Sequence, residues 1–181
     1  MKTLRFAALS LMLLLSAGAF AQSTISFRED TIKIYNRSVL VDTIENCENY
    51  NHLVVSGSQP VECNNIGFKT ITVNGGTFVN RHSYNTLNEH VMISVNANAP
   101  HKGDFKNYGT IYSGTITLNG GDFTNCSASS ISAEIIVNSG WFANQQGGTI
   151  TGEDITLSGG QFTNESEIEN AKIKLTGGMF V

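Results

Sequence analysis

The feature that most constrains this chain is an internal repeat with the pattern I-T-[LV]-N-G-G-x-F-x-N. Five copies align without gaps at 71–80, 116–125, 135–144, 155–164 and 173–181, and an insertion splits a sixth into 93–96 and 103–107. Successive copies start 18 to 23 residues apart, and a degenerate earlier copy begins at Leu53. Because a unit of this size cannot bury an apolar face alone, neighbouring copies must stack on one another.

The columns of the alignment predict the shape of each unit. The first and third positions alternate as apolar residues, which is typical of a strand with one buried face. Glycine then ends the strand, because it accepts the positive φ of a tight corner. Each copy continues with a phenylalanine, and the members of this column are Phe78, Phe105, Phe123, Phe142, Phe162 and Phe180. A later isoleucine adds a third short strand, at Ile111, Ile131, Ile150 and Ile168, with Leu87 as an earlier member.

Three strands a unit, repeated, predict an all-β fold: a single-stranded parallel β-helix, or β-solenoid. We expect about six to seven coils of roughly 18–23 residues. Asparagine forms a further column at the end of the phenylalanine strand, at Asn80, Asn107, Asn125, Asn144 and Asn164. Its amide can bond to its equivalent one coil away, so we interpret these residues as a structural ladder.

The repeat unit resembles the coils of right-handed parallel β-helix proteins, which have the pectin-lyase-like architecture. Within that class it is most similar to the passenger repeats of autotransporter and filamentous-haemagglutinin-type adhesins. The resemblance covers residues 53–181 and implies an exported, elongated protein of the cell surface or extracellular space. It does not imply catalysis, because one architecture carries both adhesins and polysaccharide-degrading enzymes.

The N-terminus predicts export. Lys2 and Arg5 precede an apolar segment, and Ala19-Phe20-Ala21 supplies a small-x-small cleavage site. We therefore expect a signal peptide over 1–21, an N-terminal cap over 22–52 and β-helix repeats over 53–181. Val181 falls in mid-coil, which predicts that the repeats are truncated there.

The net charge limits the classes of binding partner, and the cysteines limit the possible disulfide and zinc sites. Without Lys2 and Arg5 the formal charge changes from −4 to −6, which argues against nucleic acid or an anionic membrane as a partner. No later segment is long and apolar enough to predict a membrane span. Cys47 and Cys63 are either a disulfide of an exported protein or free thiols, and their spacing matches no zinc site.

The position before each phenylalanine should face outward, and it holds the first candidate site. Asp104 and Asp122 occupy it on adjacent coils, so their carboxylates should lie ~5 Å apart. Such a pair is either two solvated surface carboxylates or a site for Ca²⁺, which prefers oxygen ligands. Apart from this Ca²⁺, the sequence predicts no cofactor and no metal site, and it indicates no catalytic residue.

The same outward column contains Trp141, the only tryptophan of the chain. An exposed indole can stack on a sugar ring or contact a protein, and it can equally tuck against a loop. The insertion 97–102 should protrude from a corner, where His101 and Lys102 stand beside Asp104. These five residues are our candidate binding set.

Two functions remain open from the sequence. The first is a structural stalk or adhesin-like recognition surface, with a carbohydrate or a host or cell-surface protein as partner. The alternative is a fragment of a carbohydrate-active β-helix enzyme, a polysaccharide lyase or glycoside hydrolase, with Asp104 and Asp122 near its groove.

Overall fold

A computed structural model describes residues 24–28, 31–36, 41–44, 51–57, 60–63, 68–81, 83–84, 90–98 and 100–181. The predicted signal peptide, Cys47 and Leu87 lie outside these ranges, as does the side chain of Cys63. The described residues form strands and no helix, so none of them belongs to a helix that could cross a bilayer.

The strands follow one another in a regular order. Their bounds are β1 Thr24–Arg28, β2 Thr31–Asn36, β3 Val41–Ile44, β4 His52–Gly57, β5 Pro60–Cys63, β6 Thr70–Val73, β7 Gly76–Asn80, β8 Ser83–Tyr84, β9 Val91–Asn98, β10 His101–Asn107, β11 Thr110–Ile111, β12 Gly114–Asn125, β13 Ser130–Ile131, β14 Glu134–Asn144, β15 Thr149–Thr151, β16 Ile155–Leu157, β17 Gln161–Asn164, β18 Glu167–Glu169, β19 Ile173–Leu175 and β20 Met179–Phe180.

Strands from successive coils pair in parallel and form three columns. The first column runs through β2, β4, β6, β9, β12, β14, β16 and β19; the second runs through β3, β5, β7, β10, β12, β14, β17 and β20. The third column is β8, β11, β13, β15 and β18. Strands β12 and β14 are long enough to pass from the first column into the second. The predicted all-β parallel solenoid is therefore confirmed, with about six turns.

Within the strands the register is that of the repeat, and it shifts at the corner around Asn119 and Gly120. Ile116 pairs with Ile93 on one side and Ile135 on the other, and Phe123 pairs with Phe105 and Phe142. The ladder extends towards the N-terminus beyond the aligned copies: β2 pairs in parallel with β4, and β1 pairs antiparallel with β2. Parallel pairing thus reaches Thr31, within the segment predicted as a cap.

Phenylalanines form a continuous stack through the core. Phe78, Phe105, Phe123, Phe142 and Phe162 are each fully buried. From Phe105 to Phe180 the ring centroids of neighbours lie 4.6 to 5.1 Å apart, and the rings are nearly parallel. That separation matches the ~4.8 Å between strands, so the backbone spacing itself sets the stacking distance.

A second ladder is polar and equally buried. The side-chain amide of Asn80 donates to Asn107 at 2.7 Å, and the same bond repeats from Asn107 to Asn125 at 2.9 Å. Asn125 donates to Asn144 and Asn144 to Asn164, both at 2.8 Å. Each interior amide both donates and accepts a hydrogen bond, so these buried polar groups have hydrogen-bond partners.

Candidate functional site

The outer face of the second strand column carries a trough. In β-strands alternate residues share a face, so the residues on either side of each buried phenylalanine point outward. The trough has a volume of about 320 Å³, and its lining comes from three adjacent coils: Asp104, Lys106, Tyr108, Asp122, Thr124, Cys126, Trp141 and Gln145.

Side-chain size across the coils explains why a trough forms. The middle coil contributes the small residues Thr124 and Cys126, which are both buried and form the floor. The coil before it contributes Lys106 and Tyr108, and the coil after it contributes Trp141 and Gln145. Because the two flanking coils lie two strand spacings apart, the long side chains of the walls are separated by ~10 Å.

One end of the trough holds the two carboxylates predicted to be neighbours. Asp104 and Asp122 are register partners on β10 and β12. Lys102 Nζ lies 2.6 Å from Asp122 Oδ1, an oxygen that is itself buried. Asp104 Oδ2 accepts a hydrogen bond from the Thr77 hydroxyl at 3.2 Å, and Lys106 Nζ lies 3.7 Å from it. Each carboxylate is thus paired with a lysine.

The insertion supplies the lysine of Asp122. Strands β9 and β10 pair as an antiparallel hairpin, with His101 opposite Asn98 and Lys102 opposite Ala97. The Lys102 side chain reaches from this hairpin to the next coil, whereas His101 is exposed and does not line the trough. Four of the five candidate binding residues therefore meet at one place.

Trp141 forms part of the opposite wall and is held in one orientation. Its indole Nε1–H donates to the Thr163 hydroxyl at 3.0 Å, and 40% of the residue remains exposed. The chain enters this strand through Gly140, whose φ is +94°; a Cβ built there would lie 2.0 Å from the carbonyl oxygen of Gly121. Only glycine fits such a corner, and the corner sets where the indole stands.

The other end of the trough contains a tyrosine and a thiol. Burial raises the pKa of the Cys126 thiol, and the neighbouring Cys126 raises the pKa of the Tyr108 hydroxyl. Both groups stay protonated at neutral pH, and a protonated thiol is a poor nucleophile. Arg81 lies over the outer side of the Tyr108 ring, with Cζ 5.0 Å from its centroid.

Sequence reasoning missed five of the eight lining residues, namely Lys106, Tyr108, Thr124, Cys126 and Gln145. The signal for two of them was present: the alternation that turns the residue before each phenylalanine outward also turns out the residue two positions later, here Lys106 and Thr124. Tyr108, Cys126 and Gln145 lie just beyond the ends of β10, β12 and β14, where strand alternation no longer predicts a direction.

The described residues contain no group of three or more histidine, cysteine, aspartate or glutamate side chains that could hold a metal ion. Comparisons with protein-family models, with curated proteins and with solved structures each found no match to this chain.

The Asp104 carboxyl should make stability depend on pH. Its burial raises its pKa, against the opposing effect of Lys106. The unfolded chain therefore loses this proton first as the pH rises, so the contribution of Asp104 to stability falls between its ordinary pKa and the raised folded value. We expect Asp104→Asn to gain stability relative to wild type as the pH rises through this window. Urea unfolding between acidic and neutral pH measures the difference.

Asp154→Asn, at an exposed position, is the matched control for the loss of one carboxylate. A difference between Asp104→Asn and wild type that stays constant across the pH series would contradict the raised pKa.

Proposed function

We propose that this protein is an exported, adhesin-like β-solenoid of the cell surface or extracellular space, whose trough is a recognition surface on a stiff stalk. The observation that carries the proposal is Trp141, a large aromatic side chain exposed beside a carboxylate and fixed by its bond to Thr163. Aromatic residues are enriched where proteins recognise partners because they bring large contact area at low cost in side-chain entropy.

Rigidity supports the same proposal. Each interior coil is joined to its neighbours by strand pairing, by stacked phenylalanines and by the asparagine ladder. Side chains on such a frame are held in place before a ligand arrives, which lowers the ordering cost of binding. The resemblance of the repeat to adhesin passenger regions and the predicted signal peptide point to the same surface role.

The test is a binding screen of the exported, purified chain on arrays of glycans and of cell-surface proteins. We expect Trp141→Ala to weaken the affinity for any ligand that the wild type binds by at least about tenfold, because the indole is the largest exposed group of the trough. Tyr112→Ala removes another exposed aromatic residue outside the trough and serves as control. Absence of any ligand would favour a passive stalk, and equal loss in both variants would contradict a site at Trp141.

Calcium belongs to the same screen. If Asp104 and Asp122 hold Ca²⁺, the ion must displace Lys102 and Lys106 from their carboxylates, and binding should then weaken with a chelator. Binding that is unchanged by chelator would exclude a calcium requirement.

A fragment of a carbohydrate-active β-helix enzyme is the second candidate. Its support is the placement of two carboxylates, Asp104 and Asp122, side by side on adjacent coils, with the pKa of Asp104 raised by burial, which is the direction that a general acid needs. Polysaccharide cleavage that survives the Asp104→Ala, Asp122→Ala double substitution would remove these residues from any such role.

A further inference from the structure

We infer that the ligand of the trough is an uncharged saccharide, bound with one sugar ring stacked on Trp141 and its hydroxyls on the two aspartates. The inference rests on the proposed function, since it names the ligand class of that same site. Shape, hydrogen-bonding capacity and charge each support it.

The size of the trough suits one flat ring of a small ligand. Its volume of about 320 Å³ lies at the lower end of the range of small-molecule sites. The floor at Thr124 and Cys126 is buried, and the strands of the two walls, β10 and β14, lie ~10 Å apart. A protein partner covers roughly 800 Å² of a stable interface, and the exposed aromatic side chains around this trough are two, Tyr108 and Trp141. A small ligand therefore fits better than a protein surface.

Trp141 offers a partner for the apolar side of a sugar ring. Its Nε1–H is already used by Thr163, so the exposed part of the indole is its hydrocarbon surface. A pyranose has the matching character, with C–H groups on one face and hydroxyls around its rim. Stacking buries apolar surface on both sides, while the hydroxyls remain directed to the polar end of the trough.

The polar end has unused hydrogen-bond acceptors. Lys102 forms an ion pair with Oδ1 of Asp122. Oδ2 of Asp104 accepts a hydrogen bond from the Thr77 hydroxyl and forms an ion pair with Lys106. Among the described residues, none makes a hydrogen bond or ion pair to Oδ2 of Asp122 or to Oδ1 of Asp104. Two carboxylate oxygens on adjacent coils are thus free to accept bonds from hydroxyl groups, and such bonds to a charged acceptor are the stronger kind.

Charge selects against acidic sugars. The two carboxylates and the two lysines cancel, and each lysine is already paired within the site. A carboxylated sugar would bring a negative charge beside Asp104 and Asp122 without an unpaired cation to meet it. An uncharged sugar is not repelled by the two carboxylates, and its hydroxyls can both donate and accept hydrogen bonds.

The single tryptophan allows a direct test, since its fluorescence reports on Trp141 alone. The purified full chain is titrated with cellotetraose, with β-1,4-linked mannotetraose and galactotetraose, and with β-1,4-linked tetraglucuronate, which is cellotetraose with a carboxylate on each ring. We expect at least one uncharged tetrasaccharide to change the emission and to saturate. Tetraglucuronate should bind at least about tenfold more weakly than cellotetraose or not at all.

Variants separate stacking from hydrogen bonding. Calorimetry should show binding of the same tetrasaccharide weakened at least about tenfold by Asp122→Ala and by Trp141→Ala, largely retained by Trp141→Phe, and unchanged by Tyr112→Ala. Circular dichroism and the melting temperature of each variant establish that it is folded. If Trp141→Ala does not fold, the change in tryptophan emission together with Asp122→Ala decides the question.

The outcomes distinguish this inference from the proposed function. Tighter binding of tetraglucuronate, or no binding of any uncharged tetrasaccharide, overturns the inference. If the array then finds a protein or an acidic glycan whose binding needs Trp141, the recognition function stands and only its ligand class is wrong. If no ligand depends on Trp141, both fail.

Discussion

We expect Phe123→Ala to lower the free energy of unfolding by about 3–5 kcal/mol. The ring is fully buried, and its centroid lies 4.8 Å from that of Phe105 and 4.9 Å from that of Phe142. Truncation removes the apolar burial of the ring, leaves a cavity in the middle of the stack and takes a stacking partner from both neighbours. Urea unfolding followed by far-ultraviolet circular dichroism measures the loss.

Phe180→Ala is the matched control, because Phe180 belongs to the same stack and is partly exposed. Its described ring contact is Phe162 alone, at 5.1 Å. We expect this variant to lose roughly half as much as Phe123→Ala or less, since a site near solvent leaves a smaller cavity. Equal losses would show that the interior ring is not supported from both sides.

Asn125→Ala should be the second most damaging change, at about 2–4 kcal/mol. The side chain accepts from Asn107 and from the Ser129 hydroxyl at 2.7 Å, and it donates to Asn144. Alanine leaves the buried Asn144 oxygen without this donor and the Asn107 amide with one acceptor fewer, whereas the Ser129 hydroxyl keeps the carbonyl oxygen of Cys126. An unsatisfied buried polar group costs its desolvation energy. Thermal and urea unfolding both report the effect.

Asn119→Ala tests whether burial is the cause. Asn119 belongs to a second ladder, in which it donates to Asn96 at 3.1 Å and accepts from Asn138 at 3.0 Å, but it is exposed. Water can replace its bonds, so we expect a loss below about 1 kcal/mol. A loss as large as that of Asn125→Ala would mean that the bonds themselves, and not their burial, stabilise the corner.

The repeat was sufficient to predict which residues stack. Alignment placed Phe105, Phe123 and Phe142 in one column, and parallel strands that are in register over these positions bring equal residues together. The same logic placed Asp104 beside Asp122. The prediction worked because each unit can bury its apolar face in one way only, against its own copies.

The trough was not predictable from the alignment as we read it. It depends on the sizes of side chains in three coils at once: Cys126 is small between Tyr108 and Gln145, whereas Thr124 lies between Lys106 and the smaller Ala143. It also depends on Lys102, which lies in the insertion between the two halves of its repeat and forms an ion pair with Asp122 on the next coil. Neither the path of a hairpin nor the reach of a lysine follows from a periodic pattern.

The sequence by itself determined the strand columns, the buried phenylalanine stack and the asparagine corner, because those features follow from periodicity and from stacking of equal residues. Tertiary structure alone decided how the carboxylates are paired, which way the indole of Trp141 is held and that the outer face contains a trough. The physical reason is that backbone spacing governs the first group, whereas the second group depends on side-chain contacts between residues at unlike positions of different coils.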